Sequence, residues 1–514
     1  MQRSKHSLSH YALLTGDPGK LYPTSNYEVL PGDGIMQQES MLIRMSPLAA
    51  PVMHPVQART HTFSIPNRLI WGPDWGDAST FEDFITGGPD GNDTSIQPDI
   101  TITFENEDAH KGSVADYLGI PYPSTGSIKC SALPFRAFML TFNEYYRDQD
   151  LVEPYGKSSA QVRAFAVGRC PNVAWRKDYF TTARPWAQKG SAITLPLGDS
   201  APVVGMGIST TQQSNAKNWR DSNNTDQSGS GWTSNPTATS AGTANVVIEE
   251  GQSGFPGIYA DLSNAQGVDI NEFRRAFALQ RYSEARAQYG SRYTEYLQYL
   301  GVTPADSRVQ RPEYLHGAKQ TIQFSEVLQT TPTSDPSAPS DFGVGDMYGH
   351  GISAMRSKRS MKFHQEHGIV LTLLSVVPMS MYVNGMARMH FRSTREDYFQ
   401  KELAQIGQQE LYNGEVYSDG TDTDAETFGF QDRYAEYKHI GSTVHGDFRN
   451  TLSYWHMARK FTSRPALNQT YIECNPTDRI YNVSTGTDNK MWIMVNHNVR
   501  ARRMVPKSNK ARIL

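Results

Sequence analysis

One stretch constrains the fold more than any other: residues 368–382, which read Gly-Ile-Val-Leu-Thr-Leu-Leu-Ser-Val-Val-Pro-Met-Ser-Met-Tyr. It is the most apolar run in the chain. Ile369, Val370, Thr372, Val376 and Val377 are β-branched and lose little rotamer freedom on a pleated strand. Leu371, Leu373 and Leu374 fall among them without helical spacing, so both faces are apolar, the pattern of a strand covered on both sides. A membrane helix needs about 20 apolar residues; this run is shorter and holds Thr372, Ser375 and Pro378. Pro378 cannot donate to a ladder, so the strand should end near Val377. The expectation is a large β-structure with this strand at its middle, built from segments distant in sequence.

A chain of 514 residues suggests two or three domains, or one β domain enlarged by insertions. Hydrophobic residues at 38% and charged residues at 20% allow a core and exclude global disorder. A net charge of -3 excludes a whole-chain field for nucleic acid, so any such contact must come from local patches. The 41 Gly and 29 Pro fit a loop-rich β protein, and the 26 Tyr and 21 Phe suit large packed interfaces. Cys130, Cys170 and Cys474 are too widely spaced for a disulfide frame or a zinc knuckle and read as idle thiols. No apolar run follows the basic residues at the start, so no signal peptide is expected, and a reducing cytoplasm is the expected site of synthesis.

In chain order, the first residues are polar, punctuated by Gly and Pro, and read as an extended arm. Residues 41–45 and 56–65 read as strands, the second by its period of two. Trp71, Trp75, Phe81 and Phe84 form an aromatic cluster suited to core or subunit interface. Ser113 and Asp116 can cap a short helix. Pro134 opens a helix with Phe135, Phe138, Met139, Phe142 and Tyr146 on one face. Residues 178–198 read as a loop and a strand. The stretch 209–243 is Ser, Thr, Asn, Gln and Gly with few apolar residues beyond Trp219 and Trp232, and cannot build its own core. Helices follow near Ile270, Phe273 and Phe277 and over 291–300. A strand is expected at 321–328, a helix at 398–411, and an acidic loop at 414–429.

No catalytic signature is present: no phosphate loop, no nucleophile elbow, no H-E-x-x-H. His364 and His367 are an odd number apart and cannot both point inward on one regular strand, so with His350 they make no metal site; no metal and no cofactor is expected. Glu415, Asp419, Asp422, Asp424 and Glu426 read as a solvated acidic loop. The last fifteen residues carry Arg500, Arg502, Arg503, Lys507, Lys510 and Arg512 and no acid. They read either as a solvated terminus or as an arm against phosphates.

Several phrases then occur together and in order. They include Leu133-Pro-Phe-Arg-Ala-Phe with Asn143-Glu-Tyr-Tyr-Arg-Asp, and Asp178-Tyr-Phe-Thr-Thr-Ala-Arg-Pro-Trp. Ser307-Arg-Val-Gln-Arg-Pro-Glu-Tyr-Leu follows, then Ser375-Val-Val-Pro and Phe428-Gly-Phe-Gln-Asp-Arg-Tyr. This set resembles the major capsid protein of the Microviridae, in its gokushovirus-like branch, over most of the chain. The resemblance implies a mainly β fold, the viral eight-stranded antiparallel jelly roll with long loop and helical insertions. It implies assembly of identical subunits into a T=1 icosahedral shell around circular single-stranded DNA. It also implies a polar insertion at the three-fold axes that meets a host surface receptor.

Laid onto this chain, the expected parts are an N-terminal arm (1–40), the first jelly-roll part with a helical insertion (41–200), and the polar surface insertion (201–257). A helical insertion (258–320), the second jelly-roll part (321–499) and a basic tail (500–514) complete it. Arg3, Lys5, Arg500, Arg502, Arg503, Lys507, Lys510 and Arg512 are the candidate DNA contacts, and Trp219, Asn224 and Trp232 the candidate host contacts. The implied role is structural, not enzymatic. Implied partners are copies of the chain, the DNA genome, the receptor, and scaffolding and minor virion proteins, with no membrane. The implied location is the virion, assembled in the host bacterial cytoplasm. A jelly-roll carbohydrate-binding module or glycosidase is the competing expectation, since fold does not fix function.

Overall fold

Ten strands of one antiparallel sheet carry the fold. They are β1 (Ser4–Ser7), β2 (His10–Gly16), β3 (Leu21–Val29), β4 (Gly34–Met45), β5 (Val56–Pro66), β6 (Glu313–Leu328), β7 (Met347–Arg356), β8 (Ser360–Phe363), β9 (Gly368–Pro378) and β10 (Met491–Arg503). The order across the sheet is β1-β10-β4-β7-β6-β5-β9-β3, with β2 also paired to β10 and β8 to β4. The sheet curls into a half-barrel, a jelly-roll architecture. The computed structural model describes residues 3–123, 126–191, 193, 203–204, 206–209, 245–248, 259–260, 270–290, 292–330, 344–482 and 489–507. They fall into two units, Met1–Lys189 with Glu284–Leu514, and Gly190–Ser283.

Strand β9 is the apolar run, and only Val377 among its residues is not fully buried. Its place differs from expectation. It lies between β5 and β3, one strand from the edge, not at the middle. Apolarity on both faces reports cover on both faces, and here the outer cover is a helix. Helix α1 (Leu133–Tyr145) begins with Pro134 in its first turn and buries Phe135, Phe138, Met139 and Phe142. It packs across β9, with the Tyr145 ring 4.8 Å from Phe63 of β5. The Tyr146 hydroxyl meets His61 Nδ1 at 2.7 Å. On the other side, Val370 joins Val29, Ile35, Val499 and Ala501 in the barrel interior.

The sheet also absorbs most of the expected N-terminal arm. Residues 4–29 are three strands: β1 and β2 pair with β10, and β3 pairs with β9. The alternation of β4 and β10 sets which side chains face inward. Along β4, Ile35, Gln37, Glu39, Met41 and Ile43 are buried while their neighbours are not. Along β10, Met491, Ile493, Val495, His497 and Val499 are buried in the same way. The two run in register from Met491 opposite Met45 to Arg502 opposite Gly34.

Trp71 and Trp75 are buried, and Trp71 contacts the rings of Phe81 and Phe84 at 5.5 and 4.5 Å. The Ser113 side chain caps the turn Val114–Tyr117, accepting from the Asp116 N–H. Asp116 does not complete a capping box; its carboxylate accepts the Gly112 N–H at 2.8 Å instead. Helix α2 (Ile270–Tyr289) leaves Phe273 and Phe277 exposed, and helix α3 (Tyr293–Tyr299) leaves Tyr293 exposed. Gly301 then turns the chain at φ +81°. In the second unit, Met206–Ser209 pairs with Asn245–Ile248 and Val203–Val204 with Tyr259–Ala260. The polar residues 210–244 lie outside the described residues.

The helix expected at 398–411 is absent. Turns occupy most of that stretch, and Gln408–Tyr412 forms a hairpin ladder with Thr427–Asp432. Tyr398, Phe399 and Ile406 are exposed, so no apolar face meets a core, and Gly407 enters the left-handed region at φ +63°. The acidic stretch is not simply solvated either. Glu415 is buried and accepts from Arg388 at 2.8 Å, while Arg464 reaches Asp419 and Asp424 at 2.9 and 2.7 Å.

Candidate nucleic-acid interface

On a strand, residues two apart share a face. The outward positions of β10 are therefore Trp492, Met494, Asn496, Asn498, Arg500 and Arg502. Across the β1 ladder, Lys5 stands opposite Arg502 and Ser7 opposite Arg500. Across the other ladder, Trp492 stands opposite Arg44 and Asn498 opposite Gln38. The next strand adds Arg356, which donates to Gln38 Oε1 at 3.2 Å, and the β7–β8 connection adds exposed Lys358 and Arg359. On β8, Met361 and Phe363 face outward, and the Arg3 guanidinium lies 5.0 Å from the Phe363 ring. These outward positions of β1, β4, β8 and β10 hold no Asp or Glu.

The sequence-expected residues therefore divide. Arg3, Lys5, Arg500, Arg502 and Lys507 are exposed, the first four on or beside one face. Arg503 points away from them. It donates to Asp33 Oδ2 at 2.8 Å and to the Glu28 carbonyl at 2.6 Å, so it holds the barrel end together. The expected tail begins too early, because Arg500, Arg502 and Arg503 belong to β10. Lys510 and Arg512, and the candidate host contacts Trp219, Asn224 and Trp232, lie outside the described residues. Arg44, Arg356, Lys358 and Arg359 were not among the expected residues. The period-two alternation of residues 491–503 was available to place Arg500 and Arg502 on a strand; the pairing that brings Arg44 beside Trp492 was not.

The inward face is different in kind. Glu39 is buried and accepts from Gln37 Nε2 at 2.6 Å and faces His316 Nε2 at 2.8 Å. Burial pushes the Glu39 carboxyl up, but the hydrogen bond and charge of His316 outweigh it and hold the group below its usual range. His497 is buried beside it, stacked 4.9 Å from His10, and burial with the His10 charge pushes it down to about 4. The three histidines considered for a metal are apart. His364 is buried near Ser64, His350 sits by Ser325, and His367 lies against Phe81. Among the described residues no cluster of His, Cys, Asp or Glu fits a metal ion. No helix among them is long and apolar enough to cross a membrane.

The sequence profile of one family, described as "Capsid protein (F protein)", matches residues 1–512. The chain belongs to that family. Capsid protein VP1 of Bdellovibrio phage phiMH2K is 32% identical to this capsid chain, over 93% of it and 89% of the relative. Capsid protein VP1 of Chlamydia phage 1 is 32% identical, over 93% and 90%. Capsid protein VP1 of Spiroplasma virus 4 is 29% identical, over 92% and 87%. The familial resemblance drawn from the ordered phrases is thus borne out, and this capsid chain is a major capsid protein of the Microviridae type.

Proposed function

We propose that copies of this chain close into a T=1 icosahedral shell around circular single-stranded DNA, with the outward face of β1, β4, β8 and β10 turned toward the genome. The observation that supports this reading is the row of cations on a face whose strand positions carry no carboxylate. Arg500, Arg502, Lys5 and Arg44 have no ion pair among the described residues, so their charge is available to phosphates. Exposed aromatic and aliphatic side chains elsewhere, such as Tyr293, Leu300, Phe399 and the wholly exposed Ile440, suit contacts between subunits. The role is structural, without enzymatic turnover. The shell matures in the host cytoplasm with scaffolding and minor virion proteins. The insertion 201–257 meets the host receptor.

Sedimentation and negative-stain imaging with nuclease treatment test the reading. Uniform icosahedral particles holding protected DNA are the expected result; a lasting monomer that protects no DNA in cells making the other virion proteins would sink it. Trimming residues 212–241 should leave particles intact and abolish attachment to host cells. If trimmed subunits fail to assemble, the insertion is architectural instead.

A further inference from the structure

At the far end of the same face lies a cavity of about 570 Å³. Its apolar lining includes the outward Leu13, Trp492 and Met494 and, deeper, Leu14 and Ile493, and its cations are Arg44 and Lys111. Met494 stands opposite Leu13, and Trp492 opposite Arg44, so the indole and the guanidinium are cross-strand neighbours about 5 Å apart at Cβ. Trp492 is 48% exposed, leaving ring surface uncovered. Tyr117 fixes the wall by donating to the Thr15 carbonyl at 2.7 Å. Asp116 is the one carboxylate in the lining, and it is already bonded to the Gly112 N–H. Neither Arg44 nor Lys111 has an ion pair among the described residues. The volume lies in the range of small-ligand pockets.

An open aromatic surface beside free cations matches one ligand chemistry: a flat base joined to a phosphate. The outward column of β10 leads from this cavity toward the cation row. From Trp492 to Arg502 the outward column of β10 covers about 33 Å, at about 3.3 Å per residue, enough for several nucleotides. Resting on the genome-enclosing reading above, we propose that this cavity seats a base of the single-stranded DNA. The base stacks on Trp492, its phosphate meets Arg44 or Lys111, and the strand runs along β10 toward Arg500, Arg502 and Lys5. Stacking tolerates any base, as a coat repeated around one genome requires.

The test uses intact DNA-filled particles and the purified full chain. Ultraviolet cross-linking of the particles, digestion and mass spectrometry should recover a nucleotide adduct on Trp492 or its immediate neighbours. With oligothymidylate as the probe, Trp492→Ala should weaken binding about tenfold with the salt slope unchanged, and Trp492→Phe should restore most of it. Arg44→Ala should lower the salt slope by about one. Protected DNA without an adduct near Trp492, and with oligothymidylate binding unchanged in Trp492→Ala, overturns the pocket while leaving the genome-enclosing reading in place. A cross-link from Trp492 to a virion peptide instead of DNA overturns it in the same way. Particles that never hold DNA overturn both.

Discussion

Arginine does opposite work in two parts of this protein. On the outward face of β10, Arg500 and Arg502 stand free of acid partners among the described residues. In the connection between β9 and β10, residues 379–490, several guanidinium groups are turned inward. Arg388 meets Glu415 at 2.8 Å, and Arg464 meets Asp419 and Asp424. Arg479 donates to the carbonyls of Ser453, His456 and Ala458. The Arg459 guanidinium sits 4.1 Å from the Tyr471 ring and 5.0 Å from Trp175, and donates to the Tyr471 carbonyl at 2.7 Å. The difference follows from the backbone. A strand satisfies its own amides and carbonyls in ladders, whereas irregular chain leaves carbonyls needing donors, and a five-donor fork can serve several at once. Arginine such as Arg388 in the connection is a clamp; Arg500 and Arg502 on the outward side of the ladder are left over for a ligand.

Breaking a clamp should produce the largest effect of any single substitution. Arg388→Ala leaves Glu415 buried without its partner, and should cost about 3–5 kcal/mol in chemical denaturation of the dissociated subunit. A loss below about 1 kcal/mol would mean that the pair is not a clamp. Acid should come next, taken histidine by histidine. His54, His364 and His497 are buried, and burial pushes each down to about 4. The unfolded chain takes up these protons near pH 6.5, the folded chain only near 4. Stability is therefore complete above about pH 6.5 and falls as pH drops toward 4, by up to about 1.4 kcal/mol per pH unit for each histidine. Denaturation midpoints measured from pH 7 to 4.5 give the slope, and His497→Gln should flatten it. The smallest effect on folding should come from the free face. Arg500→Ala with Arg502→Ala should shift stability by no more than about 0.5 kcal/mol, yet lower the salt slope of DNA binding by about two. Equal damage to folding from both regions would erase the distinction between clamp and ligand site.

Local patterns were legible in the residues. The doubly apolar β9, the alternation around β5, and the Phe135, Phe138, Phe142 stripe of α1 each declare their element, because burial writes its period into the sequence. The helix expected at 398–411 failed because apolar residues at helical spacing found no core to face, with Gly407 free to turn the chain. The cation row was half legible. Lys5 and Arg502 could be chosen as charges, but their meeting depends on the β1–β10 ladder, which joins the two ends of the described chain. Arg44 and Trp492 become neighbours only through the register of β4 against β10. Arg503 shows the converse: its charge looks like that of Arg502, and only the structure reveals that Asp33 consumes it.

The pairing of Ser4 with Arg503 carries a consequence for synthesis. Strand β10 leaves the ribosome after every other strand of the sheet, and β1, β2 and β4 wait for it as their shared partner. A part-made chain cannot set Lys5 beside Arg502, so it cannot present the finished cation row. Contacts this distant in sequence make folding slow and leave strand edges open meanwhile. A subunit stopped short of β10 lacks the ladders that tie β1 and β2 into the sheet, and its exposed edges offer themselves to any other unpaired strand.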